Sequence, residues 1–147
     1  MAEGVVAVLL PDPEAPESVR CQSLADGTYV IRDVPVFSNR FGFADVITAS
    51  QVGDTLTAQR IVDSAGWSTY VLEPSGDIME RDALLLLKDV ERFGALVQLR
   101  VGRVVSVGVP TRTRNDVLSL FQQGTDRGLW IVSVIRDSAV EALGAAS

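Results

Sequence analysis

The sequence predicts an α+β protein: a β-rich, small-barrel-like N-terminal half over residues 1–63, packed on a C-terminal ferredoxin-like β-α-β-β-α-β half over 64–136, with 137–147 as a tail. Three observations predict it. Short β-branched runs punctuated by glycine turns dominate the chain up to Asp63. Beyond that point two stretches with helical apolar spacing alternate with extended runs. And 147 residues, 47% apolar and 22% charged, fit one compact soluble domain or two very small ones. Such a chain buries ~68% of its unfolded surface, enough for a core without staples. No repeat or long linker separates the halves, so intimate packing as one unit is expected.

In the first half, Gly4 to Leu10 reads as a strand ended by Pro11-Asp12-Pro13. The segment Pro11 to Glu17 holds three prolines and three acids, which suits an exposed loop. Val19 to Leu24 and Thr28 to Arg32 flank Asp26-Gly27, a hairpin signal because such turns need positive φ. A second hairpin joins Ala44–Gln51 to Thr55–Val62 around Gly53-Asp54. Five short strands of this kind suggest a small barrel or rolled sheet. Between the hairpins, Asp33 to Phe43 carries three phenylalanines and no periodicity, and reads as a loop packed against something.

In the second half, Trp67 to Leu72 reads as a strand. Asp77 and Glu80 have the spacing of a reciprocal helix cap, and Met79, Ala83, Leu84, Leu87 and Val90 form an apolar stripe stopped by Gly94. Ala95–Arg100 and Arg103–Val109 are extended, with Gly102 at their turn. Thr113 is the expected cap of a second helix with Val117, Leu120 and Phe121 inside, weakened by Gly124 and ended by Gly128. Leu129 to Ile135 is a last strand, apolar on both faces. Its Trp130, Val132 and Val134 suggest that the sheet face away from the helices is covered, by the N-terminal strands or by a second copy of the chain.

Composition excludes several chemistries. With no histidine, Ser-His-Asp and Cys-His catalysis cannot be built within this chain. One cysteine, Cys21, cannot form an internal disulfide or a cysteine zinc site. Lys88, the sole lysine, lies in a charged stretch typical of a wetted helix face. No calcium-loop spacing or glycine-rich phosphate cradle occurs. We therefore expect no metal and no cofactor. A net charge of −6 argues against nucleic acid. No run reaches the ~18 apolar residues of a membrane helix and no secretory leader is visible. The expected setting is cytoplasmic.

Asp33-Val34-Pro35-Val36-Phe37, Ala44-Asp45-Val46-Ile47, Asp63 to Thr69 and Gly124-Thr125-Asp126-Arg127-Gly128-Leu129-Trp130 occur in consistent order. Together they make the chain, from about Val6 to Val134, resemble the bacterial family catalogued as domain of unknown function 4265. The family usually has glycine where Ala44 stands and a small polar or imidazole residue where Trp67 stands. The resemblance implies no activity.

Candidate site residues group in two places. Arg32, Asp33, Arg40 and Asp45 flank the loop bearing Phe37, Phe41 and Phe43. They could form a polar pocket in which arginine clamps a carboxylate or phosphate, or structural Arg-Asp bridges. Trp67, Tyr70 and Trp130 could line a ligand platform or build core. Strand alternation turns Tyr70 away from Trp67. Cys21 would be a nucleophile only beside positive charge, and Arg20 should point to the other face of its strand. The leading expectation is a non-catalytic binding protein, an immunity-type or regulatory inhibitor that captures a protein partner by surface complementarity. The alternative is a histidine-free enzyme or small-molecule-binding protein with an apolar pocket at the junction of the halves. A homodimer through the open sheet face is a third possibility.

Overall fold

The computed structural model describes residues 4–76, 79–100 and 103–137. Five strands form the N-terminal unit: β1 (Val5–Leu10), β2 (Glu17–Ser23), β3 (Tyr29–Ile31), β4 (Val46–Val52) and β5 (Thr55–Asp63). They pair antiparallel in chain order, and a parallel contact of Leu9 with Thr57 closes β5 onto β1 as a barrel. Alternation decides what points inward. On β2, Val19, Cys21 and Ser23 are buried while Ser18, Arg20 and Gln22 face out. Val8, Leu10, Ile31, Phe41, Ile47 and Ala58 complete the barrel core. Both hairpin glycines, Gly27 and Gly53, have positive φ, as the turn chemistry requires.

The C-terminal unit runs β6 (Ser68–Pro74), α1 (Arg81–Arg92), β7 (Leu96–Leu99), β8 (Val105–Val109), a 3-10 turn (Thr111–Thr113), α2 (Arg114–Asp126) and β9 (Trp130–Arg136). Its four strands lie in the order β7-β8-β6-β9, every neighbour antiparallel. That is a β-α-β-β-α-β sheet with two helices, ferredoxin-like in outline. Both helices share one core with one face of the sheet. Ala83, Leu86, Leu87 and Val90 meet Val117, Phe121, Tyr70, Leu72, Val105, Val107 and Trp130.

Several local expectations are corrected. In α1, Leu86 replaces Leu84 in the buried stripe, and Leu84 is exposed. At 100° per residue, Leu84 is one step round from Ala83. Asp77 lies outside the described residues; Glu80 stands at the cap position of α1 without a side-chain capping bond. Thr113 likewise makes no capping bond, and its hydroxyl donates to the carbonyl of Phe93, tying the two helices. Gly124 sits buried inside α2, where an added Cβ would overlap the Trp130 indole. Close approach, rather than helix termination, requires glycine there. Gly128, at φ +71, does end the helix. The turn glycine Gly102 and residues 138–147 of the tail lie outside the described residues.

The sheet face away from the helices is partly covered by the barrel. Trp130 and Val132, which suggested that cover, belong instead to the helix side. Small and polar residues meet the barrel: Gln98, Ser106 and Gly108.

Candidate functional site

Residues 32–45, between β3 and β4, lie on that sheet face and join the halves. Val34 donates its N–H to Gln98 Oε1 at 2.6 Å, and Gln98 Nε2 donates to Asp33 Oδ1 at 3.3 Å. Ser106 Oγ donates to the carbonyl of Val34 at 3.1 Å. Gly108 lacks the side chain that would crowd Val34 and Trp67, each 3.2 Å from the Cβ position. These contacts satisfy loop groups that burial would otherwise leave unpaired.

Asp45 anchors the other end of the loop. Its Oδ2 accepts from Gly42 N at 2.9 Å and from Arg136 Nη1 at 2.6 Å, and its Oδ1 accepts from Ala65 N at 3.0 Å. A bulge in β9 delivers Arg136. Tyr70 pairs with Val134 but Thr69 pairs with Arg136, so Ile135 is the extra residue. Without it, strand alternation would turn Arg136 to the face of Val132 and Val134. Ala44, beside Asp45, has φ +68, the left-handed conformation in which glycine is unstrained.

Asp33 is held by Arg20. The Arg20 Nε and Nη2 donate to Oδ1 at 2.9 and 2.7 Å, and the Arg20 N–H donates to Oδ2 at 2.8 Å. Burial pushes the Asp33 carboxyl up, but the bonds from Arg20 and Gln98 outweigh it and hold it below its ordinary value. Burial, assisted by the Asp33 charge, pushes the Cys21 thiol up to about 12.

Beside the joined region the halves leave a cleft of about 430 Å³. Val71, Ser133 and Ile135 of the sheet, with Val104, form its floor. Glu17, Ser18, Val36 and Phe37 of the barrel form the opposite wall, and Arg100 stands at the end of β7. Glu17 shapes that wall. Its carboxylate accepts the N–H groups of Val36, Phe37 and Ser38 at 2.8–2.9 Å. Phe37 is thereby held at the lip, 58% exposed.

The structure disperses the candidate residues. Asp33 and Asp45 sit at the two ends of the joining loop, paired with Arg20 and Arg136 rather than with the sequence-adjacent Arg32 and Arg40. Arg32 lies 5.9 Å from the Phe43 ring centroid. Arg40 lies over Phe41 at 4.8 Å and donates to the carbonyl of Gln59. Phe41 is barrel core, while Phe37 borders the cleft. Trp67 packs on Phe43 at 4.8 Å, on the barrel side. Tyr70 is buried on the helix side against Phe121. Its hydroxyl lacks a hydrogen bond of good geometry, although Ser68 and Arg114 lie near enough to favour its charged form. Burial and then Asp137 dominate, and its pKa is raised. The residues that sequence reasoning missed are Glu17, Gln98, Arg100 and Arg136. Glu17, Gln98 and Arg136 act across tertiary contacts and Arg100 borders a cleft that only folding creates; of the four, only Arg136, an arginine closing an apolar strand, carried a local signal.

Among the described residues no cluster of three or more acidic or cysteine side chains could hold a metal ion. No described helix is long and apolar enough to cross a membrane.

A small barrel joined to a helix-backed sheet defines the class of fold. The family described as domain of unknown function DUF4265 matches residues 17–132, and the chain belongs to that family. No curated protein matches it. A crystal structure described as that of a hypothetical protein from Neisseria gonorrhoeae is similar in fold, with TM-score 0.69 and 17% identity over 89% of this chain and 92% of that one.

Proposed function

We propose that this protein binds a small, largely apolar molecule in the cleft between its barrel and its sheet. The observation that carries the reading is the cleft itself. About 430 Å³ lies within the range of ligand sites, ~300–1,000 Å³, and both halves supply its walls. Val36, Phe37, Val71, Val104 and Ile135 offer apolar contact, and few polar groups interrupt them. The neutral fluorophore phenylnaphthylamine tests the reading. Its emission should rise on mixing with the protein, and Ser133→Trp, which fills the cleft from an exposed strand position, should abolish the rise. No rise with the wild-type protein would reject it.

Capture of a protein partner, in the manner of an immunity-type or regulatory inhibitor, is a second reading. It is favoured by β9, an edge strand that exposes Ile131 at 64% and Val134 at 60%. Such an edge can accept a partner strand. A pull-down with Ile131→Lys, which blunts the edge, separates the two readings: it would lose a partner without affecting phenylnaphthylamine. We further read the C-terminal half as a ferredoxin-like unit, in keeping with its strand order, and a cytoplasmic setting, in keeping with one buried thiol.

A further inference from the structure

We propose that the occupant of the junction cleft is an apolar small molecule carrying one anionic group, with Arg100 as the residue that recognises it. This rests on the cleft being a ligand site. Two formal charges line the cleft, Glu17 and Arg100. Glu17 is already answered: three consecutive backbone N–H groups donate to it, so its oxygens are engaged in holding the loop. Among the described residues the side chain of Arg100 makes no hydrogen bond, ion pair or ring contact, while its backbone N–H is fixed by the carbonyl of Val104 at 2.8 Å. The remaining polar groups of the lining, the Ser18 and Ser133 hydroxyls, are neutral. A guanidinium beside an apolar floor can form paired bonds with a carboxylate, sulfonate or phosphate, and low local polarity strengthens them. A neutral ligand would leave that cation unused, and a cationic one would be repelled by it. A second concavity, lined by Val5, Arg20, Gln22 and Arg32, lacks this combination. There Arg20 is bound to Asp33 and Arg32 lies against Phe43.

Two fluorophores of similar aromatic framework test the proposal: anilinonaphthalene sulfonate, which is anionic, and phenylnaphthylamine, which is neutral. The wild-type protein should bind the anion more tightly. Arg100→Gln should weaken the anion about tenfold and leave the neutral probe unchanged. Arg112→Gln, an arginine near Gly94 on the helix side, should change neither. If Arg100→Gln weakens neither probe, or Arg112→Gln weakens the anion as much, the anionic assignment is overturned while the cleft stands. If Ser133→Trp, checked for native melting, leaves both probes bound as before, the cleft reading itself fails and the assignment falls with it.

Discussion

Arg136 and Asp45, 91 residues apart, form an ion pair of 2.6 Å with side chains only 3% and 0% exposed. It ties the last strand of the sheet to the loop that enters β4. Removing one partner leaves the other charge buried. Arg136→Met should therefore cost about 3–5 kcal/mol, read by urea unfolding. A loss below about 1 kcal/mol would mean that the junction does not depend on the pair.

Ala44 carries a left-handed backbone, φ +68, where an L side chain is strained by about 1–2 kcal/mol. Glycine relieves that strain and loses some of the gain through a freer unfolded chain. Ala44→Gly should stabilise the protein by up to about 1 kcal/mol, and Ala44→Val should destabilise it. Melting temperatures of the two variants give the check.

At Gly124 two effects oppose. Alanine is the better helix former by about 1 kcal/mol. Its methyl would overlap Trp130, whose indole N–H is fixed on the carbonyl of Phe121 at 3.0 Å. Overpacking costs about 1–3 kcal/mol and the fixed ring cannot yield freely, so Gly124→Ala should destabilise. An unchanged melting point with a shifted tryptophan emission would show that the ring moves instead.

Cys21 should resist thiol reagents in the native protein near neutral pH and react fully in denaturant. Burial pushes its thiol up to about 12 when folded, against an ordinary 9.0. Above pH 9 ionisation therefore favours the unfolded chain, and stability falls as pH rises through that window. Cys21→Ala should remove this part of the alkaline loss. Rapid native labelling at pH 7 would contradict the buried placement.

Asp33 has the opposite sign. Its folded pKa lies below the ordinary 3.8, so its contribution is present above that value and is lost as pH falls beneath it. Acid unfolding of Asp33→Asn should be correspondingly less steep below pH 4 than that of the wild-type protein.

The hairpins were legible because Asp26-Gly27 and Gly53-Asp54 declare positive φ locally. The alternation of helical and extended runs after Asp63 declared the β-α-β-β-α-β order. The helix phase was less legible: four consecutive leucines, Leu84 to Leu87, fit two stripes, and packing chose Leu86 beside Leu87. The loop between β3 and β4 was recognisable as a packed, aromatic-rich segment. Its acids were recognisable too, but their partners were not. Arg32 and Arg40 are near in sequence, whereas Arg20 and Arg136 are near in space.

From residue order alone follow the two kinds of half, the turns that join their strands and the absence of imidazole chemistry, because these depend on local backbone preference and on residue type. The tertiary structure alone decided which face of the sheet receives the barrel, which arginine meets Asp45, and that a cleft remains beside the junction. Those depend on strand register and on one bulged residue, Ile135, and no local pattern specifies either, since a shift of one position sends every following side chain to the other face.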